Sequence, residues 1–66
     1  MNDEEAKIML RSYIYNEIKN AISYSELFDI QNKIVRAEHF GHLDSRSADV
    51  LLERCEKRFK DVYLIF

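Results

Sequence analysis

Two histidines, His39 and His42, flank the pair Phe40-Gly41, with Glu38 and Asp44 close by in the chain. Imidazoles with a neighbouring carboxylate suit zinc or nickel. A helix break is expected between the two rings, however, so nothing makes them converge. His39 near a helix C-terminus is a favourable place for partial positive charge, and the segment reads as a solvated turn. Glu17 and Glu38 project from otherwise apolar stretches. A carboxylate pair does acid–base work when burial raises one of the two pKa values. These two belong to different antiparallel helices and are expected far apart along the axis. Each reads as a helix-edge carboxylate facing a Lys or Arg, or as a register-setting polar residue at a dimer seam. Cys55 is the only cysteine. A reactive thiol needs exposure and a nearby cation, whereas Cys55 falls between Leu52 and Phe59 on an apolar seam and is expected buried and inert. No nucleophile–base pair, phosphate loop or metal motif is present. The expectation is a non-enzyme with no catalytic residue, no metal ligand set and no cofactor.

The chain has 66 residues, room for one domain spanning 1–66. A domain of this size buries only about 60% of its unfolded surface and is marginally stable. Small domains compensate with disulfides, a metal or association. One cysteine rules out a disulfide within the chain, and one Cys with two His does not make a usual structural zinc set. Tight helix packing, oligomerisation or a partner remain. Hydrophobic residues make up 47% and charged residues 33%, with one Gly and no Pro, which favours a folded, helix-rich chain. The net charge of −2 gives no general pull toward nucleic acid or an anionic membrane. No apolar run approaches the roughly 18 residues of a membrane span. The start Met-Asn-Asp-Glu-Glu is unlike the basic start of a signal peptide. A cytoplasmic protein with no membrane contact and no small-molecule substrate is expected.

Three helices must position these residues. The first is expected from Asp3 to Ile22, with Asn2 as N-cap, Asp3, Glu4 and Glu5 in the first turn where the dipole favours them, and an apolar stripe of Ala6, Leu10, Tyr13, Ile14, Ile18 and Ala21. Ser23-Tyr24-Ser25-Glu26 is a capping box, with Ile22 and Leu27 placed as a hydrophobic staple. The second helix then runs from Tyr24 to about Phe40 on Leu27, Ile30, Ile34 and Ala37, with Phe28 and Val35 widening the stripe. Gly41 stands where a left-handed residue ends a helix. Leu43-Asp44 restarts it, Asp44 as N-cap and Leu43 with Ala48 as a staple. The third helix, of about 22 residues, carries a heptad seam of Ala48, Leu52, Cys55, Phe59, Val62 and Phe66. Short connections make neighbours antiparallel, so the fold class is all-α: three helices up-down-up, the second and third a tight αα-hairpin.

Ile8, Met9, Tyr15, Val50, Leu64 and Ile65 lie off these stripes. That much surplus apolar surface in so small a chain points to a second buried surface, and Ile8, Tyr15, Val50, Leu64, Ile65 and Phe66 are the expected interface. The first partner expected is a second copy of the chain, the next an unidentified protein. Tyr13, Tyr15, Tyr24 and Tyr63 either anchor an interface or cap the bundle with their hydroxyls in water. Arg54, Lys57, Arg58 and Lys60 are the basic concentration. Glu53–Lys57 and Glu56–Lys60 are i,i+4 pairs in the favourable order, so a self-compensated face is expected. Ala37 and Gly41 have the spacing of a helix-turn-helix, but the following helix opens with two aspartates and one arginine, a poor face for phosphate. Nucleic acid is therefore not the expected partner.

The stretch Ala48-Asp49, Leu51, Cys55, Arg58-Phe59 and Asp61 resembles the second helix of the Rop family of plasmid copy-number regulators, small antiparallel helical-hairpin dimers. The likeness covers about 14 residues and implies a dimeric helical hairpin. Upstream the turn falls elsewhere and an extra helix precedes it. The family's RNA-binding first helix has no counterpart, so no functional residue carries over. Phe40-Gly41-His42-Leu43-Asp44 is similar to the helix, Gly-x-Leu turn and capped helix of many small bacterial and phage proteins. The functional expectation is a small interaction module, a regulator or inhibitor that binds a partner protein as a homodimer. The alternative is a nucleic-acid-binding regulator of helix-turn-helix or Rop-like type.

Overall fold

The computed structural model describes residues 3–65, and the side chains of residues 4–63. Three helices follow one another: α1 (Asp3–Asn20), α2 (Tyr24–His39) and α3 (Ser45–Ile65). The fold is all-α, and long-range contacts fix its topology. Arg11 of α1 reaches Ser47 of α3, Tyr15 lies under Arg54, and Arg58 bonds the Ala21 carbonyl, so α1 and α3 run parallel. Lys33 of α2 meets Glu17 and covers the Tyr13 ring, and α2, which starts beside the end of α1, runs antiparallel to both. This is the up-down-up arrangement that the short connections dictate.

The breaks follow local chemistry. Ser23 is the N-cap of α2, its Oγ accepting from the Glu26 N–H at 3.2 Å. The Glu26 carboxylate reaches one residue further back than a capping box requires, accepting from the Ile22 N–H at 2.9 Å. The staple is half made: Leu27 is buried but Ile22 is exposed. The first helix ends at Asn20, short of the expected Ile22, and the Ala21 N–H bonds the Ile18 carbonyl at 3.3 Å. At the other turn, α2 ends at His39 and Gly41 takes φ +79°. The His42 N–H bonds the Ala37 carbonyl at 2.8 Å and the Gly41 N–H the Glu38 carbonyl at 3.0 Å. These two bonds form a Schellman motif, which satisfies carbonyls the ending helix would leave bare. Asp44 then caps α3, its Oδ1 accepting from the Ser47 N–H at 2.7 Å. Hydrogen bonding to the Ser47 side chain, and then this backbone bond, hold the Asp44 carboxyl below the usual carboxylate range. The expected cap at Asn2 lies outside the described residues.

The core is one line of side chains down the bundle axis. Ile14, Ile18 and Ala21 come from α1 and its exit, Leu27, Ile30, Ile34 and Ala37 from α2, Leu43 from the turn, and Ala48, Leu51, Cys55 and Val62 from α3. Leu10, Leu52 and Phe59 pack against this line while partly exposed. Five expectations change here. Ala6 and Tyr13 of α1, and Phe28 and Val35 of α2, are exposed. On α3 Leu51 is buried and Leu52 only partly so. A heptad reading assumes one facing partner, whereas α3 packs between two helices. Leu51 turns toward α1, and Leu52 and Phe59 toward the outer edge of α2. Phe66, the last residue of the seam, is outside the described residues.

Gly41 has open space around it, so only its backbone angle resists a side chain. Gly41→Ala should destabilise the protein by about 1 kcal/mol, and Gly41→Asn by less, because asparagine tolerates the left-handed region. Urea unfolding of the two variants beside wild type measures this; equal midpoints for Ala and Gly would mean that the turn does not constrain α3.

Candidate interaction surfaces

The residues with catalytic chemistry come apart. Glu17 accepts two hydrogen bonds from Lys33 Nζ, at 2.9 and 3.0 Å, across the α1–α2 seam. Glu38 lies five residues beyond Lys33 on α2, about 7.5 Å further along the axis, so the two carboxylates do not form a pair. Lys33 Nζ also stands 5.4 Å from the centre of the Tyr13 ring, and the half-buried ion pair and this contact close one edge of the bundle. His39 and His42 are both exposed, with the His39 ring edge-on to Phe40 at 5.2 Å. Among the described residues no three His, Cys, Asp or Glu side chains converge as a metal site needs. Cys55 is fully buried between α3 and the other helices, and burial pushes its thiol up to about 11. No helix among the described residues is long and apolar enough to cross a membrane.

The surface between α1 and α3 gathers three of the expected interface residues. Ile8, Arg11 and Tyr15 follow one another at spacings of three and four on α1, and Ser47, Val50 and Arg54 do so on α3. The Arg11 Nη1–Ser47 Oγ bond of 3.2 Å and the Arg54 guanidinium, 4.9 Å from the centre of the Tyr15 ring, tie the two rows together. Ile8, Tyr15 and Val50 all remain exposed. Below them opens a shallow cleft of about 220 Å³ lined by Tyr15, Ile18, Lys19, Arg54, Lys57, Arg58 and Asp61. Four cations thus stand beside one carboxylate. Arg58 is partly committed: its Nε donates to the Ala21 carbonyl at 2.9 Å, and its Nη1 lies 3.9 Å from Asp61 Oδ2. The expected pairs Glu53–Lys57 and Glu56–Lys60 are not formed; among the described residues the ion pairs are Lys33–Glu17 and Arg58–Asp61. Exposed pairs of long side chains gain too little in water to hold one geometry. Arg54, Lys57 and Lys60 are therefore not paired along their own helix, and Arg58 is, with Asp61.

The surface between α2 and α3 was not anticipated as one unit. Phe28 and Tyr24 of α2 pack tilted against the ring of Phe59, with centroids 5.1 and 5.6 Å away. Phe59 is only partly covered by them, Phe28 is 56% exposed and Tyr63, one turn beyond Phe59, is 70% exposed. Val35 continues the α2 row of Tyr24 and Phe28 at 53% exposure, and Leu52 the α3 row of Phe59 and Tyr63. Gln31 and Glu56 are the polar members of these rows. The signal was present in the sequence as the breadth of the apolar arc on α2, which exceeds what one seam can bury. Of the other interface residues expected, the side chains of Leu64 and Ile65 and the whole of Phe66 lie outside the described residues.

No protein-family model matches the chain, and neither does any curated protein or any solved structure.

The buried thiol has a direct readout. At pH 8 Cys55 should react with a disulfide reagent on the order of a hundred-fold more slowly in the native protein than in denaturant, because little of it is thiolate and none of it is exposed. Equal rates would place Cys55 at the surface.

Proposed function

We propose that this chain is a small helical interaction module that pairs with a second copy of itself and regulates or inhibits a partner protein by occupying its surface. The observation that carries the reading is the α2–α3 face, where Tyr24, Phe28, Val35 and Tyr63 are exposed around half-buried Leu52 and Phe59. Together the four exposed side chains present on the order of 400 Å² of apolar surface, beyond what scattered exposure explains. That is about half of what each partner contributes to a standard interface, and a rim of ordinary polar residues supplies the remainder. The face suits a second copy because its two formal charges, on Glu56 in the α3 row and on Lys60 beside Tyr24, Phe59 and Tyr63, are of opposite sign. Two such faces meet without much like-charge cost. The neighbouring α1–α3 face, with four cations around its cleft, would repel its own copy.

Pairing through α2 and α3 joins two helical hairpins, the arrangement that the Rop-like stretch of α3 implies. The α1–α3 face then stays free for the regulated partner, so the action is one of binding and not of catalysis. A single buried thiol suits a reducing compartment, and the cytoplasm is the proposed setting.

The test is the solution mass by light scattering across a dilution series. Wild type should give twice the chain mass of 7.9 kDa. Val35→Glu with Tyr63→Glu, both at exposed positions, should give the single-chain mass with helicity by circular dichroism retained. Wild type at the single-chain mass throughout, or a double variant that assembles like wild type, would overturn the self-pairing.

A further inference from the structure

We infer that the α1–α3 cleft is the site at which an acidic amphipathic helix of the regulated partner docks, its apolar row on Ile8, Tyr15 and Val50 and its carboxylates on Lys19, Arg54 and Lys57. This deepens the partner-binding reading above and rests on it. Three observations identify the occupant. The cleft lies between parallel helices whose outer rows run from Ile8 to Lys19 on α1, about 16 Å or three turns of a docked helix. Such a groove takes a helix that presents anchors at i, i+3, i+4 and i+7. The charge is one-sided: Lys19, Arg54, Lys57 and Arg58 against Asp61, while Arg11 at the upper end is already engaged with Ser47 and sits in the field of the Asp44 cap. The Arg54 guanidinium stands over the Tyr15 ring, its carbon 4.9 Å from the ring centre. It is thereby pre-positioned, with its remaining donors free to meet a carboxylate, and the entropy lost on binding is reduced.

The same observations disfavour a nucleic acid. A phosphate backbone offers nothing to Ile8 and Val50, which are exposed along the rows of the cleft. Asp61 stands inside the cleft, 63% exposed. Asp49, Glu53 and Lys57 follow one another at spacings of four on α3, so carboxylates adjoin the cations of the cleft and weaken its pull on a polyanion longer than the cleft. A short segment bearing its own apolar stripe avoids all three.

The experiment uses the full chain and a synthetic probe: a labelled 15-residue peptide with leucines at i, i+3, i+4 and i+7 and glutamates on both flanks. The controls are its composition-matched shuffle and a labelled 15-base-pair DNA duplex. Fluorescence anisotropy should show micromolar binding of the amphipathic peptide. The shuffle should bind at least ten-fold more weakly, and the duplex more weakly than the peptide. Lys19→Glu with Lys57→Glu, both at exposed positions, should weaken the peptide at least ten-fold. Val50→Ser should weaken it several-fold at unchanged salt dependence. Val35→Glu with Tyr63→Glu should bind the peptide as wild type does. No binding at 1 mM peptide, a shuffle as tight as the patterned peptide, or a charge-reversed variant that binds as wild type does overturns the inference. A duplex that binds more tightly than the peptide also overturns it and assigns the cleft to phosphate. Self-pairing is judged separately by mass, so a failed cleft leaves the α2–α3 face standing, and a monomeric wild type that binds the peptide does the reverse.

Discussion

Three helices share one axis, and each can turn only a stripe of roughly 100° toward it. Every other feature of this molecule follows from that limit. The line from Ile14 through Leu27 and Ile34 to Cys55 and Val62 is fully enclosed, and it is one side chain thick in a body of 41 × 19 × 16 Å. The apolar arcs of α2 and α3 are wider than the stripe that the axis accepts. Their surplus is displaced to the outer seam, where Phe28 and Tyr24 cover part of Phe59 and are themselves half bare. On the other side of α3 the limit is met by long side chains. Arg54 lies over Tyr15, and Arg58 reaches past the end of α1 to the Ala21 carbonyl.

Charge separates what hydrophobicity alone would leave equivalent. Both outer seams of α3 expose apolar residues, but the residues between them differ in kind. On the α1 side the spacing of Arg54, Lys57 and Arg58 joins Lys19, whereas on the α2 side Glu56 and Lys60 offset one another beside the aromatic rings. The net charge of −2 conceals this division, since it sums acidic and basic residues spread over all three helices. A chain with no general attraction for polyanions can therefore still hold a local cationic cleft, because charges a Debye length apart act almost independently at physiological salt.

The turns were legible because they are local. Ser23 with Glu26, Gly41 as the lone glycine, and Asp44 each act on backbone groups three to five residues away, and each ends or starts a helix where its position in the sequence indicates, Glu26 reaching Ile22 in place of Ser23. The same holds for Leu27, Ile30, Ile34 and Ala37, whose spacing suits one face. What depends on partners was not legible. Leu51 and Leu52 stand 100° apart on α3, and only the placement of two neighbouring helices decides which is enclosed. Phe28 and Val35 look like core residues in a helix of unknown orientation. The bond from Arg58 to Ala21 crosses 37 positions, and no spacing rule anticipates a side chain that reaches so far. The exposed i,i+4 pairs fail for the opposite reason: the spacing is right, but water competes successfully for both charges.

Arg58 and Phe59 are consecutive in the chain yet belong to different surfaces. Arg58 lines the cleft and fastens the exit of α1, and Phe59 is the anchor of the aromatic face. A single helix thus serves as the wall of both, with one turn shared between them. A rotation of α3 that improves one contact must disturb the other, so the two surfaces cannot be tuned independently by changes in this turn. Thermodynamic reciprocity then applies: by whatever factor an occupant on one side alters affinity on the other, the second occupant alters the first by the same factor.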